Sequence, residues 1–295
     1  MIEQVLAAGF ILTTPILLAA IGGLVNRQAG IVNIALEGKM LIGAFVAVLV
    51  SSATGSWLVA TVSAALVGMV IGYAFSLSIT RLGANMIIAG LGLNVLAAGA
   101  IGFIMSIAYG SSGTLRLPDV ALLPNVLPES IVAVPLVGPM LADLDPLTLF
   151  AVGSIAVLPF FLGATRFGLW IRATGNASSV VRSVGLNPKL VQEAATAFAG
   201  FFAGIAGAQL ALASIGIFNE GLTAGRGFIA LAAFYFGRDR PWQTAAACLL
   251  FGLLDAAQIR MQTVGLPPRL IGALPYLMVL VALVITQLRS LKRTQ

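Results

Sequence analysis

Residues 86–108 read Met-Ile-Ile-Ala-Gly-Leu-Gly-Leu-Asn-Val-Leu-Ala-Ala-Gly-Ala-Ile-Gly-Phe-Ile-Met-Ser-Ile-Ala, with no charged residue and a single amide, Asn94. About 20 apolar residues are enough for one helix to cross the ~30 Å hydrocarbon core of a bilayer. Comparable runs occupy 5–25, 33–53, 57–79, 147–164, 191–213, 243–259 and 270–288. A shorter run, 227–237, is counted as one more crossing, which makes nine. The composition agrees. Of 295 residues, 59% are hydrophobic and 9% charged, where a soluble domain carries about 25% charged. The mean hydropathy is +1.05. The reading is an all-α polytopic membrane protein of about nine transmembrane helices, a single transmembrane domain over 1–295 with no room for a soluble one.

Histidine is absent and Cys248 is the single cysteine. Histidine acid–base chemistry, His or multi-Cys metal sites and an internal disulfide are thereby excluded. The net charge of +6 is spread too thinly among apolar runs to suit a nucleic acid. In a membrane protein such an excess marks cytoplasmic loops. Near the N-terminus, Glu3 stands where a secretory signal would carry basic residues. With nine crossings and the C-terminal Arg289, Lys292 and Arg293 inside, the inner segments also hold Arg27, Arg81, Arg166, Arg172, Arg182, Lys189, Arg238 and Arg240, eleven bases in all. The outer segments hold four, Arg116, Arg226, Arg260 and Arg269, while Lys39 lies within a span. That bias gives the orientation N-out, C-in.

Two longer loops follow from this topology. Residues 109–146 form an extracytoplasmic loop with six of the thirteen prolines, four acids and Arg116. Its apolar piece, Ser130–Ala142, is too short to span and suits a cap or re-entrant segment. Residues 165–190 form a cytoplasmic loop with four bases and no acid. Thr-Arg-(Leu/Phe)-Gly occurs at both 80–83 and 165–168, a hint of duplication. Gly68/Gly72 and Gly200/Gly204, continued by Gly207, have the spacing that lets membrane helices approach closely.

The loop 165–188 reads Thr-Arg-Phe-Gly-Leu-Trp-Ile-Arg-Ala-Thr-Gly-Asn-Ala-Ser-Ser-Val-Val-Arg-Ser-Val-Gly-Leu-Asn-Pro. Asn176 suits an N-cap and Gly185 a C′ position, which predicts a two-turn helix over 177–184 closed by Pro188. Val180, Val181 and Val184 are expected on one face, against lipid headgroups or a cytoplasmic partner.

The string Arg-Ala-Thr-Gly-Asn…Val-Arg-Ser-Val-Gly-Leu-Asn resembles the coupling loop of ABC importer permeases of the ribose/simple-sugar and nucleoside (basic membrane protein-associated) type. A second match runs Ala29-Gly-Ile-Val-Asn33-Ile-Ala-Leu-Glu37-Gly-Lys39-Met-Leu-Ile-Gly-Ala-Phe45. Its Asn-Ile-x-Leu-Glu-Gly core resembles the nucleoside-type branch, and Lys39 departs from the apolar or amide residue usual there. The third is Thr223-Ala-Gly-Arg226-Gly-Phe228-Ile-Ala-Leu-Ala-Ala233, followed by Phe236-Gly-Arg238 and Pro241. The three matches cover roughly 20–245 in order. The resemblance implies an inner-membrane permease subunit that moves a nucleoside, or alternatively a pentose or other simple sugar, by alternating access. It implies as partners a second permease subunit (a longer paralogue), a cytoplasmic ABC ATPase with duplicated nucleotide-binding halves, and an extracytoplasmic solute-binding lipoprotein. Arg172, Gly175, Asn176, Val180, Val181, Arg182, Val184 and Gly185 would then couple to the ATPase.

Seven residues are candidates for the solute pathway: Asn33, Glu37, Asn94, Gln209, Phe218, Asn219 and Phe228. A carboxylate inside a span is costly unless paired or hydrated. Glu37 therefore either pairs, with Arg27 the nearby candidate, or lines the path near its inner end. Asn94 and Gln209 either bind solute or tie helices together. Phe218, Asn219, Glu220 and Phe228 offer the stacking and hydrogen-bonding groups a nucleoside needs, while Glu220 and Arg226 would alternatively pair with each other or grip a solute-binding protein. Asp255, Gln258 and Arg260 read as a helix-end charge group.

No G-x-x-x-x-G-K-[ST] string occurs, so this chain carries no P-loop. ATP and Mg are expected on the separate ATPase, with no cofactor, metal or catalytic residue on this chain. A secondary transporter would need coupling carboxylates near the bilayer midplane, where only Glu37 and Asp255 are intramembrane acids, both toward helix ends. A membrane enzyme lacks its nucleophile–base pair.

Overall fold

In the computed structural model, residues 2–111, 113–126, 144–213 and 216–261 are described, with side chains from residue 6 onward. The expected segments 130–142 and 270–288 lie outside them. The elements are α1 (Ile2–Gln28), α2 (Leu36–Thr54), α3 (Trp57–Thr80), α4 (Met86–Tyr109), β1 (Thr114–Arg116), α5 (Pro146–Ala164), α6 (Arg166–Asn176), α7 (Ser178–Ser183), α8 (Pro188–Leu212), β2 (Ile217–Asn219), α9 (Arg226–Phe236) and α10 (Pro241–Met261). Among the described residues, seven helices are long and apolar enough to cross a membrane: α1, α2, α3, α4, α5, α8 and α10. The protein is polytopic, and its described residues are mostly helical.

α8 stands at the centre, packed on α3, α2 and α1, with α10 on the far side of α1. Small residues make this possible where water supplies no force between helices. The glycine pairs at 68/72 and 200/204 turn out to face each other. A Cβ on Gly200 would collide with the Gly68 carbonyl, and one on Gly204 with the Ala64 carbonyl. Gly207 stands as close to the Met40 carbonyl of α2. By contrast α4 buries only 17% of its apolar window, against 78% for α1 and for α8.

Local chemistry sets the helix ends. Asn85 Oδ1 accepts from the N–H of Ile87 (2.9 Å) and Ile88 (3.3 Å), and Asp145 Oδ1 from Thr148 N–H (2.7 Å). Inside α1, Pro15 removes one donor, and the neighbouring Thr13 hydroxyl donates to the Gly9 carbonyl at 2.6 Å. At the α5–α6 corner, Thr165 Oγ1 caps α6 by accepting from Gly168 N–H at 3.0 Å.

The run 227–237 is not a helical span. Its helix, α9, has 11 residues, a length of about 16 Å, half of a hydrocarbon core. The chain before it is a non-helical leg, a short strand followed by turns. β2 pairs antiparallel with β1, Phe218 opposite Leu115, and the leg continues through turns to Gly225. α2 is interrupted in a similar way. It starts at Leu36, after a non-helical stretch that carries Asn33. Its start is level with Asn94, nine residues beyond the Asn85 cap and so roughly 13 Å along α4. Both helices therefore begin inside the bundle.

The helix expected over 177–184 is also redrawn. α6 runs through Asn176, which ends it, and α7 begins at Ser178 behind Ala177, whose side chain caps nothing. The end is as expected: Gly185 has φ +83, its N–H bonds Arg182 O, and Leu186 N–H bonds Val181 O.

Candidate functional site

The interrupted helices meet at one junction. Asn94 sits on α4 with its side-chain amide against the start of α2: its Oδ1 accepts from Gly38 N–H (2.8 Å) and its Nδ2 donates to Ile34 O (3.0 Å). Glu37, one residue into α2, points the other way. Its carboxylate accepts from the N–H groups of Gly225 (2.9 Å) and Gly227 (2.7 Å), the free donors at the start of α9. A negative charge at a helix N-terminus is favourable. Glu37 therefore does not pair with Arg27. Gly227 must be glycine, because a Cβ would lie 2.5 Å from the Glu37 backbone nitrogen.

Next to this junction, Arg226 Nη2 reaches Asp255 Oδ2 of α10 at 2.7 Å, both side chains largely buried. The expected pairing of Arg226 with Glu220 gives way to this bond, and Asp255, expected in a helix-end charge group, holds Arg226. The first residue of α9 is thus held from α10, and its backbone from α2. Lys39 is fully buried, its Nζ donating to Asn33 Oδ1 at 3.1 Å and lying 4.3 Å from the Phe75 ring centre. Asn33 and Lys39 brace the stretch that leads into α2.

At the hairpin end, alternation along β2 turns Phe218 inward and Asn219 outward. Phe218 is fully buried, edge-on to Phe45 at 5.2 Å. Gln209 is buried too, its Nε2 donating to Asp145 Oδ2 at 3.2 Å, which ties α8 to the cap of α5. Of the seven pathway candidates, Asn219 and Phe228 are exposed. Asn33, Glu37, Asn94, Gln209 and Phe218 hold the frame around them.

The opposite end gathers α6, α7 and the last turn of α1. A Cβ on Gly175 would collide with the Gln28 carbonyl, so α6 ends in backbone contact with α1. Gln28 Nε2 donates to Asp239 O (2.9 Å) and Gln192 Nε2 to Ala29 O (3.1 Å). The α9–α10 turn and α8 thereby join the same knot. Arg27 lies 3.7 Å from Asp239, whose carboxyl is pushed up chiefly by burial, with Arg27 opposing. Arg27, Gln28, Arg172, Asn176 and Asp239 line a cavity of about 370 Å³ here. In α7, Val181 is 3% exposed, while Val180 and, just past the helix, Val184 are 60% and 69% exposed. The three valines do not share a face: 180 and 184 are one turn apart, and 181 lies about 100° away. Arg182 is exposed beside them. The sequence reading missed Asp145, Glu193 and Asp239 as organising residues. Glu193 accepts from Nε and Nη2 of Arg81, at 2.7 and 3.1 Å, joining α8 to the end of α3.

This frame of apolar helices broken at mid-depth can be set beside known proteins. The family described as branched-chain amino acid transport system / permease component matches residues 5–283. The chain belongs to this permease family. The permease is 33% identical over 254 residues to the putative glucose ABC transporter permease protein TsgC13 of Haloferax volcanii, covering 86% of this chain and 76% of that one. It is 30% identical over 262 residues to the guanosine ABC transporter permease protein NupQ of Bacillus subtilis (86% and 82% covered). With the nucleoside ABC transporter permease protein NupC of Lactococcus lactis it shares 29% over 300 residues (96% and 92% covered). No solved structure matches the chain. It is an ABC transporter permease, a multi-pass protein of the bacterial inner membrane.

Proposed function

We propose that this permease carries nucleosides inward in an ATP-driven importer, by alternating access. Two of the relatives above are named for guanosine and nucleosides, and they are covered over 82% and 92% of their lengths. The observation that carries a transport role is the junction at Glu37. There two helices start within the bundle, and a non-helical leg with exposed Asn219 runs from the hairpin end to meet them, Phe228 being exposed in the first turn of α9. Non-helical backbone at membrane depth is tolerated where it is buried in protein or lines a water-filled cavity. Asn219 and Phe228 are the pathway residues of this reading, and the other five position them. A simple sugar is the second reading, favoured by the glucose permease relative.

In this reading the α6–α7 end is cytoplasmic and the hairpin end extracytoplasmic. The leg and α9 together make one crossing, so the orientation remains N-out, C-in with nine crossings. ATP and Mg belong to a separate cytoplasmic ATPase, and this chain binds no cofactor. The other partners are a second permease subunit and an extracytoplasmic solute-binding lipoprotein. Val180, Val184 and Arg182 face the ATPase, with Val181, Gly185, Asn176 and Arg172 shaping the loop. Closure of the ATPase pushes α7, and Gly175 passes the displacement to Gln28 and the α9 turn. The test is solute binding by the partner binding protein, titrated with nucleosides, bases, pentoses and glucose. Nucleoside binding is expected. Binding of a sugar with no nucleoside overturns the substrate assignment.

A further inference from the structure

Glu220 is a carboxylate that the frame leaves unused. Its backbone is fixed just beyond β2, the N–H donating to Gly113 O at 3.0 Å. Its side chain lies against α4, where a Cβ added to Gly102 would sit 3.2 Å from Oε1. Gly102 is seven residues before the end of α4 at Tyr109, a depth of roughly 10 Å. The residue is exposed, and among the described residues no hydrogen bond or ion pair reaches its carboxylate. Arg226, the nearest cation along the chain, is committed to Asp255.

A bare carboxylate at that depth does not face hydrocarbon. The space where Glu220 meets α4 at Gly102 is therefore wet. One turn earlier on α4, Gly99 leaves open space, with nothing within 4 Å of its Cβ position. Asn219 is exposed beside Glu220 at the upper end of the leg, and Phe228 is exposed where α9 begins.

We infer that Glu220 reads a pair of adjacent hydroxyls on the passing solute. An ionised carboxylate only accepts hydrogen bonds, and its two oxygens take two O–H donors on neighbouring carbons. Such bonds to a charged acceptor are the stronger kind. The ribose of a nucleoside presents that pair, and so does a hexose. The inference rests on the nucleoside reading for its choice of solute.

The test uses the complete transporter in proteoliposomes. First, Glu220→Cys is placed in a Cys248→Ala background and exposed from outside to a membrane-impermeant thiol reagent. Labelling that guanosine slows is expected; no labelling, or labelling that guanosine leaves unchanged, overturns the inference. Second, uptake of guanosine and of 2′-deoxyguanosine is compared in wild type and Glu220→Gln. Wild type is expected to favour guanosine, and Glu220→Gln to shrink that ratio by about tenfold, the loss of one hydrogen bond to a charged group. Equal rates in wild type, or a ratio unchanged by the substitution, overturn it. Failure of the nucleoside reading shows separately, as no guanosine uptake by wild type. Glucose and 3-deoxyglucose then replace the two nucleosides in both arms, with the same expected and overturning outcomes.

Discussion

The N–H of Gly227 donates to Glu37 Oε2 at 2.7 Å, so the first turn of α9 hangs from the first turn of α2. With Gly225 N–H on the other oxygen, the carboxylate satisfies two donors that would otherwise be orphaned inside the bundle. Charge is balanced here by a helix terminus instead of a cation. Glu37→Ala removes both bonds and is expected to cost about 2–4 kcal/mol, at 1–3 for each buried polar group left unpaired with partial relaxation. Glu37→Gln keeps one acceptor and is expected to cost about half as much. Thermal unfolding in detergent, read beside solute uptake, checks the order Ala below Gln below wild type.

Arg226 and Asp255 form a second anchor. Breaking a buried pair leaves one charge uncompensated, on the order of 3 kcal/mol. Arg226→Met and Asp255→Leu are each expected to lower the unfolding temperature sharply. The double variant is expected to recover much of the loss, because no lone charge remains. A double variant no better than the worse single one would deny the pairing its weight.

The α3–α8 contact predicts a contrast between glycines that look alike in sequence. Gly200→Val forces a side chain into the Gly68 carbonyl and is expected to cost more than about 2 kcal/mol, or to abolish expression. Gly92→Val and Gly153→Val fill open space, with nothing within 4 Å of either Cβ position. Both are expected to express at wild-type levels, measured by fluorescence-detected size exclusion.

Much of this fold is legible in the sequence because its signals are long or local. A helix long enough to span announces itself by an unbroken apolar run, and a tight interface by glycines four apart. Gly185 also announced its positive φ through its place after a short helix. The junction is different. Glu37 is satisfied by backbone N–H groups nearly two hundred residues away, and backbone donors leave no mark in composition. β1 and β2 have three residues each, too few for alternation to show, and they pair across about a hundred residues. The run at 227–237 was apolar enough to notice but too short to reveal that a hairpin strand and turns lead into it. In α7, six residues fix no clear face, so only the structure separates Val181 from Val180 and Val184.

That separation is testable. Val180→Ser with Val184→Ser changes exposed side chains and is expected to leave the unfolding free energy within about 0.5 kcal/mol of wild type. In the assembled transporter it is expected to cut solute-stimulated ATP hydrolysis at least fivefold. Val181→Ser removes the buried anchor and is expected to lower stability and coupling together.

The most direct measurement is guanosine uptake into proteoliposomes that hold the full assembly, with and without the ATPase subunit and with and without internal ATP. Concentrative uptake that needs both, and that the Val180/Val184 double substitution uncouples from ATP hydrolysis, is the predicted result. Uptake that persists without the ATPase, or full coupling in that double variant, contradicts the account.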